Sequence, residues 1–420
     1  MAIPSVSQLV EVVHEHSLLA PEQAGQLAEL QQQCKEARDL ARELVSRGLL
    51  SAFQVERLLL GRVEDLNIGP YLLLDAVGEG AMGQVFKARH REKGHIVALK
   101  VVREDHQGDA RTRRRFRREI RAMKRLTHIN IVTARDIDEI KIKRTRFFAM
   151  EYVDGVNLHQ VLKECVALPL APALDYVRQA ANGLQHAYER GLIHRDIKPA
   201  NFLITPPPRS EERTLRPGRW GVVKLLDMGL ALLHYTPEEK LDSKPHLLTG
   251  KGMMLGTVDY VAPEQIMNPH EVDIRADLYS LGCTFYEMLT GQVPFTHGSP
   301  ARKLVAHQEQ EPLPITQLRP ELPEEVALVV HKLMAKAPAA RFQTPAHLTS
   351  TLTTILNRLP PEQIEWDWRP PHLEGYSSAA SLSHLTGDGG ERHWWPLAVG
   401  VLVMVAAALA LVLLFWNSGS

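Results

Sequence analysis

The chain has no excess of either charge. Its 49 lysines and arginines balance 49 aspartates and glutamates, so no net field draws it toward nucleic acid, and none is expected as a partner. Cysteine is nearly absent: Cys34, Cys165 and Cys283 are odd in number, far apart and in no metal-ligand spacing. That argues against a disulfide framework and fits reduced thiols in a cytosolic domain. The opening residues, MAIPSVSQLVEVVHEHSLL, lack a basic stretch followed by an apolar run, so no secretory signal is expected.

Charge is missing altogether from one long stretch near the C-terminus. Residues 394–416 read WWPLAVGVLVMVAAALALVLLFW, 23 residues without a charged side chain. As a helix they would reach roughly 35 Å, against a hydrocarbon core of roughly 30 Å. Tryptophans stand at both ends, where an aromatic belt would hold them. A buried helix of a soluble domain seldom stays apolar on every face for about six turns. Arg392 and His393 precede the stretch, and only residues 417–420 follow it as a short tail. The reading is a single transmembrane helix that anchors the protein in the cell membrane, with its positive flank and almost all of the chain in the cytoplasm.

The 420 residues suffice for two or three compact units. Residues 1–68 place Leu27, Leu30, Cys34, Ala37, Ala41, Leu44 and Val45 at helical spacing. They also carry an echo at an offset of 31: HSLLAPEQAGQL from position 16 resembles RGLLSAFQVERL from position 47. Two related helix-turn-helix units are expected there, with no function legible and room for a protein partner. Residues 359–393 are rich in proline, serine and glycine and read as a flexible tether. Between them, residues 69–358 alternate like strands at first (YLLLDAV, QVFKARH, HIVALKVV, RFFAMEYV) and then turn helical. An α+β architecture follows, with a small β-rich lobe over 69–153 and a large helical lobe over 154–358.

The stretch VGEGAMGQVFKARH places Gly78, Gly80 and Gly83 in the spacing G-x-G-x-x-G. A dinucleotide site would need a helix next, but the alternation after Gly83 predicts a strand. The glycines therefore sit at the tip of a β-hairpin, whose bare backbone can fold over phosphates, although a plain turn would read the same. Lys100 closes the apolar run VALK, and the basic helix RRRFRREIRAMKRL offers it one acidic partner, Glu119. The rest of that helix reads as a solvated face. In IHRDIKPANFLI, His194, Arg195, Asp196, Lys198 and Asn201 crowd between apolar flanks, more charge than a core absorbs without purpose. VKLLDMGLA then places Asp227 after a strand, and GTVDYVAPEQ follows.

In this order the motifs make the block resemble the catalytic domain of eukaryotic-like serine/threonine protein kinases, in the arrangement of their bacterial membrane-linked members. The resemblance implies a bilobal fold and transfer of the ATP γ-phosphate to protein serine or threonine hydroxyls. It implies that Gly78, Gly80 and Gly83 cover the phosphates, with Val85 and Ala98 against the adenine. Lys100, held by Glu119, would bind the α- and β-phosphates. Met150 would be the gatekeeper, and Glu151 to Val153 the hinge backbone. Asp196 would orient the substrate hydroxyl and Lys198 would steady the γ-phosphate. Asn201 and Asp227 would hold Mg²⁺, with Mn²⁺ as its substitute. The expected partners are ATP, protein substrates, the membrane and a second kinase copy.

Two departures stand out. Met228 replaces the usual phenylalanine after Asp227, an adaptable apolar side chain that can fill the same place. TPPPRSEERTLRPGRWG lies between two expected strands and reads as an exposed excursion. By the resemblance, Arg195 goes with activation-loop phosphorylation, and Thr249, eight residues before Thr257, is the candidate site. Glu264 would pair with Arg341, and Asp277 would brace the catalytic loop. The rivals are a pseudokinase scaffold, which the presence of Lys100, Glu119, Asp196, Asn201 and Asp227 argues against, and a small-molecule kinase, which GTVDYVAPEQ argues against.

Overall fold

The computed structural model describes residues 5–19, 21–80, 83–102, 123–138, 146–206, 218–228, 257–269, 271–365 and 367–370. The predicted membrane span at 394–416, Glu119 and Thr249 lie outside them. Among the described residues no helix is long and apolar enough to cross a membrane.

The first four helices are α1 (Val6–Glu15), α2 (Ala24–Gln33), α3 (Ala37–Ser46) and α4 (Ala52–Leu59). They repeat at the offset heard in the sequence. The turn after α1 passes through Ser17 at φ 49°, and the turn after α3 through Gly48 at φ 65°. In the first, Leu18 N–H donates to the Val13 carbonyl at 3.1 Å; in the second, Leu49 N–H donates to Leu44 at 2.9 Å. These are helix ends closed by a left-handed residue, a role that glycine fills without strain. The buried positions echo as well: Leu9 with Leu40, Val13 with Leu44, Leu18 with Leu49 and Leu27 with Leu58.

A six-stranded sheet follows, made of β1 (Asn67–Ile68), β2 (Tyr71–Gly80), β3 (Gly83–His90), β4 (Ile96–Val102), β5 (Ala134–Asp138) and β6 (Arg146–Glu151). Its strand order is β1-β2-β3-β4-β6-β5. Strand alternation sends successive side chains to opposite faces. Phe86, Ala88, Val97, Leu99, Phe147 and Ala149 go to one face, where they join a single core with the four helices. Each large apolar side chain fully buried there is worth about 1.5–3 kcal/mol. Ala98, Phe148 and Met150 go to the other face and join the core of the large lobe.

The large lobe begins with β7 (Val156–Asn157), α5 (Leu158–Cys165) and α6 (Leu170–Tyr188), and continues through β8 (Phe202–Thr205) and β9 (Val222–Leu225). β7, β8 and β9 pair in that order as a small antiparallel sheet. After the short helix Pro263–Met267 come α7 (Ile274–Thr290), α8 (Pro300–Glu309), α9 (Glu324–Leu333) and α10 (Pro345–Arg358). Helices α6 and α7 are buried along most of their length. Gly282 lets α7 approach α9 closely, since a Cβ there would lie 2.6 Å from the Leu333 Cβ.

Two expectations change at the edges of this lobe. Residues 359–365, read as the start of a tether, lie packed on the lobe: Leu359 and Ile364 are buried. The inserted excursion is anchored at its end, because Trp220 is fully buried. Its indole Nε1 donates to the Glu365 carbonyl at 2.8 Å, and the Tyr176 hydroxyl donates to the Trp220 carbonyl at 2.6 Å. The apolar payload of one tryptophan outweighs its charged neighbourhood in the sequence. Residues 207–217 of the excursion lie outside the described residues.

Candidate active site

The site lies where the inner face of the six-stranded sheet meets the large lobe. Register places Lys100 between Val85 of β3 and Phe148 of β6, and pairs Ala98 with Met150. Val85, Ala98, Lys100 and Met150 therefore share one face, as the period of two requires. The β2–β3 hairpin narrows to Gly80 paired with Gly83, and Gly78 pairs with Val85 just below. A Cβ at Gly78 would meet nothing within 4 Å, so the backbone there lies bare over open space. At the end of β6, the Glu151 N–H donates to the Thr133 carbonyl at 2.9 Å, and the Glu151 carboxylate forms a close ion pair with Lys224. Val153 packs against the large-lobe core.

Lys100 is almost wholly buried, and its Nζ lies 2.6 Å from both carboxylate oxygens of Asp227. Burial alone would raise the Asp227 carboxyl. The Lys100 ammonium and its hydrogen bonds, with His194 and Lys198 nearby, outweigh that and hold it below the usual carboxylate range. Asp227 sits at φ 53°, a left-handed position that costs a non-glycine residue energy and persists only when its surroundings enforce it. They do so here. The residue before it, Leu226, donates its N–H to the Asn201 carbonyl at 2.9 Å and accepts from His194 Nε2 at 2.7 Å. Met228 next to it is buried in the core, in agreement with an apolar filler at that position.

The segment from His194 to Asn201 forms the opposing wall. Asp277, buried on α7, accepts the backbone N–H groups of His194 and Arg195, both at 2.7 Å. Burial raises the Asp277 carboxyl, against the pull of His194 and these N–H groups. The brace holds Arg195 at φ 67°, and the Gln265 amide adds a bond to the Arg195 carbonyl at 3.0 Å. Asp196 then projects with Lys198 Nζ at 2.8 Å and Asn201 Nδ2 at 3.1 Å from its carboxylate. Asn201 Nδ2 also donates to the Asp196 carbonyl at 2.6 Å. The loop is thus a closed circuit in which Asp196, Lys198 and Asn201 fix one another.

Arg341 is fully buried and donates to both Glu264 carboxylate oxygens at 2.6 and 2.8 Å, as the sequence suggested. Gln265, the Asn157 amide bonded to the Ala200 carbonyl at 2.5 Å, and Lys224 were missed in the sequence. Nothing in their spacing marks them; only the fold brings them to the loop and hinge. Chemically, the arrangement opposes a cationic Lys100 to oxygen donors at Asp227 and Asn201, with a second carboxylate, Asp196, facing the same cleft. It suits a polyanionic phosphate ligand with a hard divalent cation and a hydroxyl acceptor.

A protein kinase domain model matches residues 71–352. The chain is 34% identical over 297 residues to the serine/threonine-protein kinase PknA of Mycobacterium tuberculosis, covering 70% of this chain and 63% of that protein. It is 35% identical over 288 residues to a probable serine/threonine-protein kinase of Clostridium perfringens, covering 68% of this chain and 38% of that one. The chain therefore spans less than two thirds of these relatives' lengths. Among solved structures, the kinase domain of Mycobacterium tuberculosis PknI superposes with a TM-score of 0.51 at 26% identity, covering 69% of this chain and 97% of that domain.

Proposed function

This chain belongs to the protein kinase family, its domain is that of an ATP-dependent serine/threonine kinase, and we propose that the whole protein uses it to phosphorylate protein hydroxyls at a membrane. The observation that carries the site assignment is the circuit of Asp196, Lys198 and Asn201 facing the Lys100–Asp227 pair. In this reading Asp196 accepts a hydrogen bond from the substrate hydroxyl and orients it toward the γ-phosphate. Lys198 neutralises charge on the transferring group, and Lys100 holds the inner phosphates while Gly78, Gly80 and Gly83 lie over them. Val85 and Ala98 flank the adenine. The Glu151 N–H is already taken by Thr133, and the remaining backbone from Glu151 to Val153 would meet the adenine edge.

Divalent metal use goes with the family. The donor set fits Mg²⁺, or Mn²⁺, because Asp227 supplies carboxylate oxygen and the Asn201 amide nitrogen is committed to Asp196, leaving its oxygen. When bound, the cation would neutralise phosphate charge. Glu119 is assigned to steady Lys100. A phosphate on Thr249 would pair with Arg195 and order the activation loop, with one copy of a kinase dimer modifying the other. The segment at 394–416 would hold the protein in the cell membrane with the kinase in the cytoplasm, on the strength of its length and lack of charge.

The test is to incubate the full chain with ATP labelled at the γ-phosphate, a generic basic protein and each divalent cation. Labelled phosphoserine or phosphothreonine is expected with Mg²⁺. A chain that binds ATP yet labels neither itself nor the added protein would favour a scaffold. Retention of the full chain in carbonate-washed membranes, and release of a chain ending at residue 392, tests the anchor.

A further inference from the structure

The helices α1–α4 cover the sheet face away from the active site, yet two of their side chains reach the strand that leads into it. Ser51 and Gln54 form a capping box at the start of α4: Ser51 Oγ accepts the Gln54 N–H at 3.1 Å, and Gln54 Oε1 accepts the Ser51 N–H at 3.1 Å. Each keeps one donor in hand. Gln54 Nε2 donates to the Leu73 carbonyl at 2.9 Å, and Ser51 Oγ–H donates to the Leu74 carbonyl. Gln54 is buried.

These two carbonyls sit where β2 departs from the regular ladder. β1 pairs only with Tyr71 and Leu72. On the other side, the register to β3 shifts between Leu73 and Asp75, so Leu74 has no partner strand residue, and shifts again between Ala76 and Gly78. A bulge of this kind bends a strand and leaves backbone groups in need of another acceptor or donor. The glycine loop begins four residues further on, at Gly78. The β3 root of that loop is secured along its length by β4. The β2 root pairs with β3 and takes the two side chains of α4 at its bulge.

We propose that Ser51 and Gln54 are positioning residues for nucleotide binding: by holding the Leu73 and Leu74 carbonyls they fix the β2 root of the glycine loop and so set the affinity for the ATP phosphates. The proposal rests on the kinase reading of that loop. It gives the N-terminal repeat a role in the active site although it packs on the opposite face of the sheet.

Gln54→Glu and Ser51→Asp each keep the oxygen that caps α4 and lose the donor to β2. In the full chain each raises the KM for ATP about fivefold, the scale of one hydrogen bond, and leaves kcat and the KM for a generic basic protein within about twofold of the wild type. Ser51→Thr, which keeps the donor, behaves as the wild type. Arg91→Gln does too: it removes a comparable tie, 2.9 Å to the His16 carbonyl, at the end of β3 far from the glycines. A KM for ATP unchanged in both acidic variants, or raised equally by Arg91→Gln, overturns the proposal. A second readout needs no turnover. Amide exchange at residues 72–80 quickens in both variants while that of α7 stays as in the wild type, and unchanged exchange at 72–80 contradicts the role. If the wild type transfers no phosphate, the kinase reading itself fails, and exchange together with ATP titration still decides the positioning claim.

Discussion

The two faces of the six-stranded sheet are built from the same strands, one residue out of phase, and they do different work. The outer face carries Phe86, Val97, Leu99 and Ala149 into a dry core with the helical repeat. The inner face carries Val85, Ala98 and Met150 around Lys100, whose charge is answered by Asp227 of the other lobe. One face stabilises through area removed from water, which is indifferent to direction; the other depends on donors and acceptors placed to a fraction of an ångström. Substitutions on the two faces should therefore fail in different currencies, stability on one and rate on the other.

The largest expected effect is on the inner face. Lys100→Met keeps the apolar stem and removes the ammonium beside Asp227. It should lower kcat/KM by about two to three orders of magnitude, the range seen when one preorganised charge donor is lost. Thermal unfolding should move little by comparison. A variant that loses its fold together with its activity would blur the contrast between the faces.

On the outer face Leu99→Ala removes a fully buried side chain from the core shared with the helices. It should cost about 2–5 kcal/mol of stability, with rates per folded molecule close to those of the wild type. Chemical denaturation and active-site titration together separate the two. Leu40→Ala, at an equally buried position in the repeat, should behave alike if repeat and sheet unfold as one unit. A separate early transition would divide them.

A smaller effect extends the comparison to the large lobe, where a buried titratable group makes part of the stability depend on pH. His307 is buried against Tyr279, with the tyrosine hydroxyl 2.9 Å from Nδ1, and burial, aided by Lys336, pushes its pKa down to about 3. In the unfolded chain it would titrate near 6.5. Between those values the unfolded state binds the extra proton, so stability falls as pH falls from about 6.5, by about 1.4 kcal/mol per unit for this group. His307→Gln should flatten the slope by one proton in urea titrations at pH 4.5–6.5. An unchanged slope would mean that His307 is not held neutral.

Much of this was legible in the sequence wherever chemistry restricts the residue type. Lys100, Asp196, Asn201 and Asp227 stand out through motifs whose resemblance to a known family implies their roles, and the fold brings them to one cleft. The strand alternation of VALK separates Ala98 and Lys100 from Val97 and Leu99 without any coordinates. The repeat could be heard at 31 residues because the positions that the core buries recur as leucine, Leu18 with Leu49 and Leu27 with Leu58. What the sequence hid is tertiary. That the repeat lies on the outer sheet face, that Ser51 and Gln54 receive a strand bulge, and that Trp220 and Glu365 tie an insertion to the segment after α10 are contacts between distant residues with no local signature. Composition misled at residues 359–365: proline and polar neighbours suggested a tether, but Leu359 and Ile364 supply enough apolar surface to dock it.

The most direct test of the whole account is Asp196→Asn in the full chain, assayed for transfer of the labelled γ-phosphate to itself and to a basic protein, beside ATP binding by titration. Asparagine keeps the size and the contact to Asn201 but cannot accept the substrate hydroxyl proton as the carboxylate can. Binding of ATP at the wild-type level with transfer reduced to background is the predicted result. Transfer at the wild-type rate would contradict the assignment of the site.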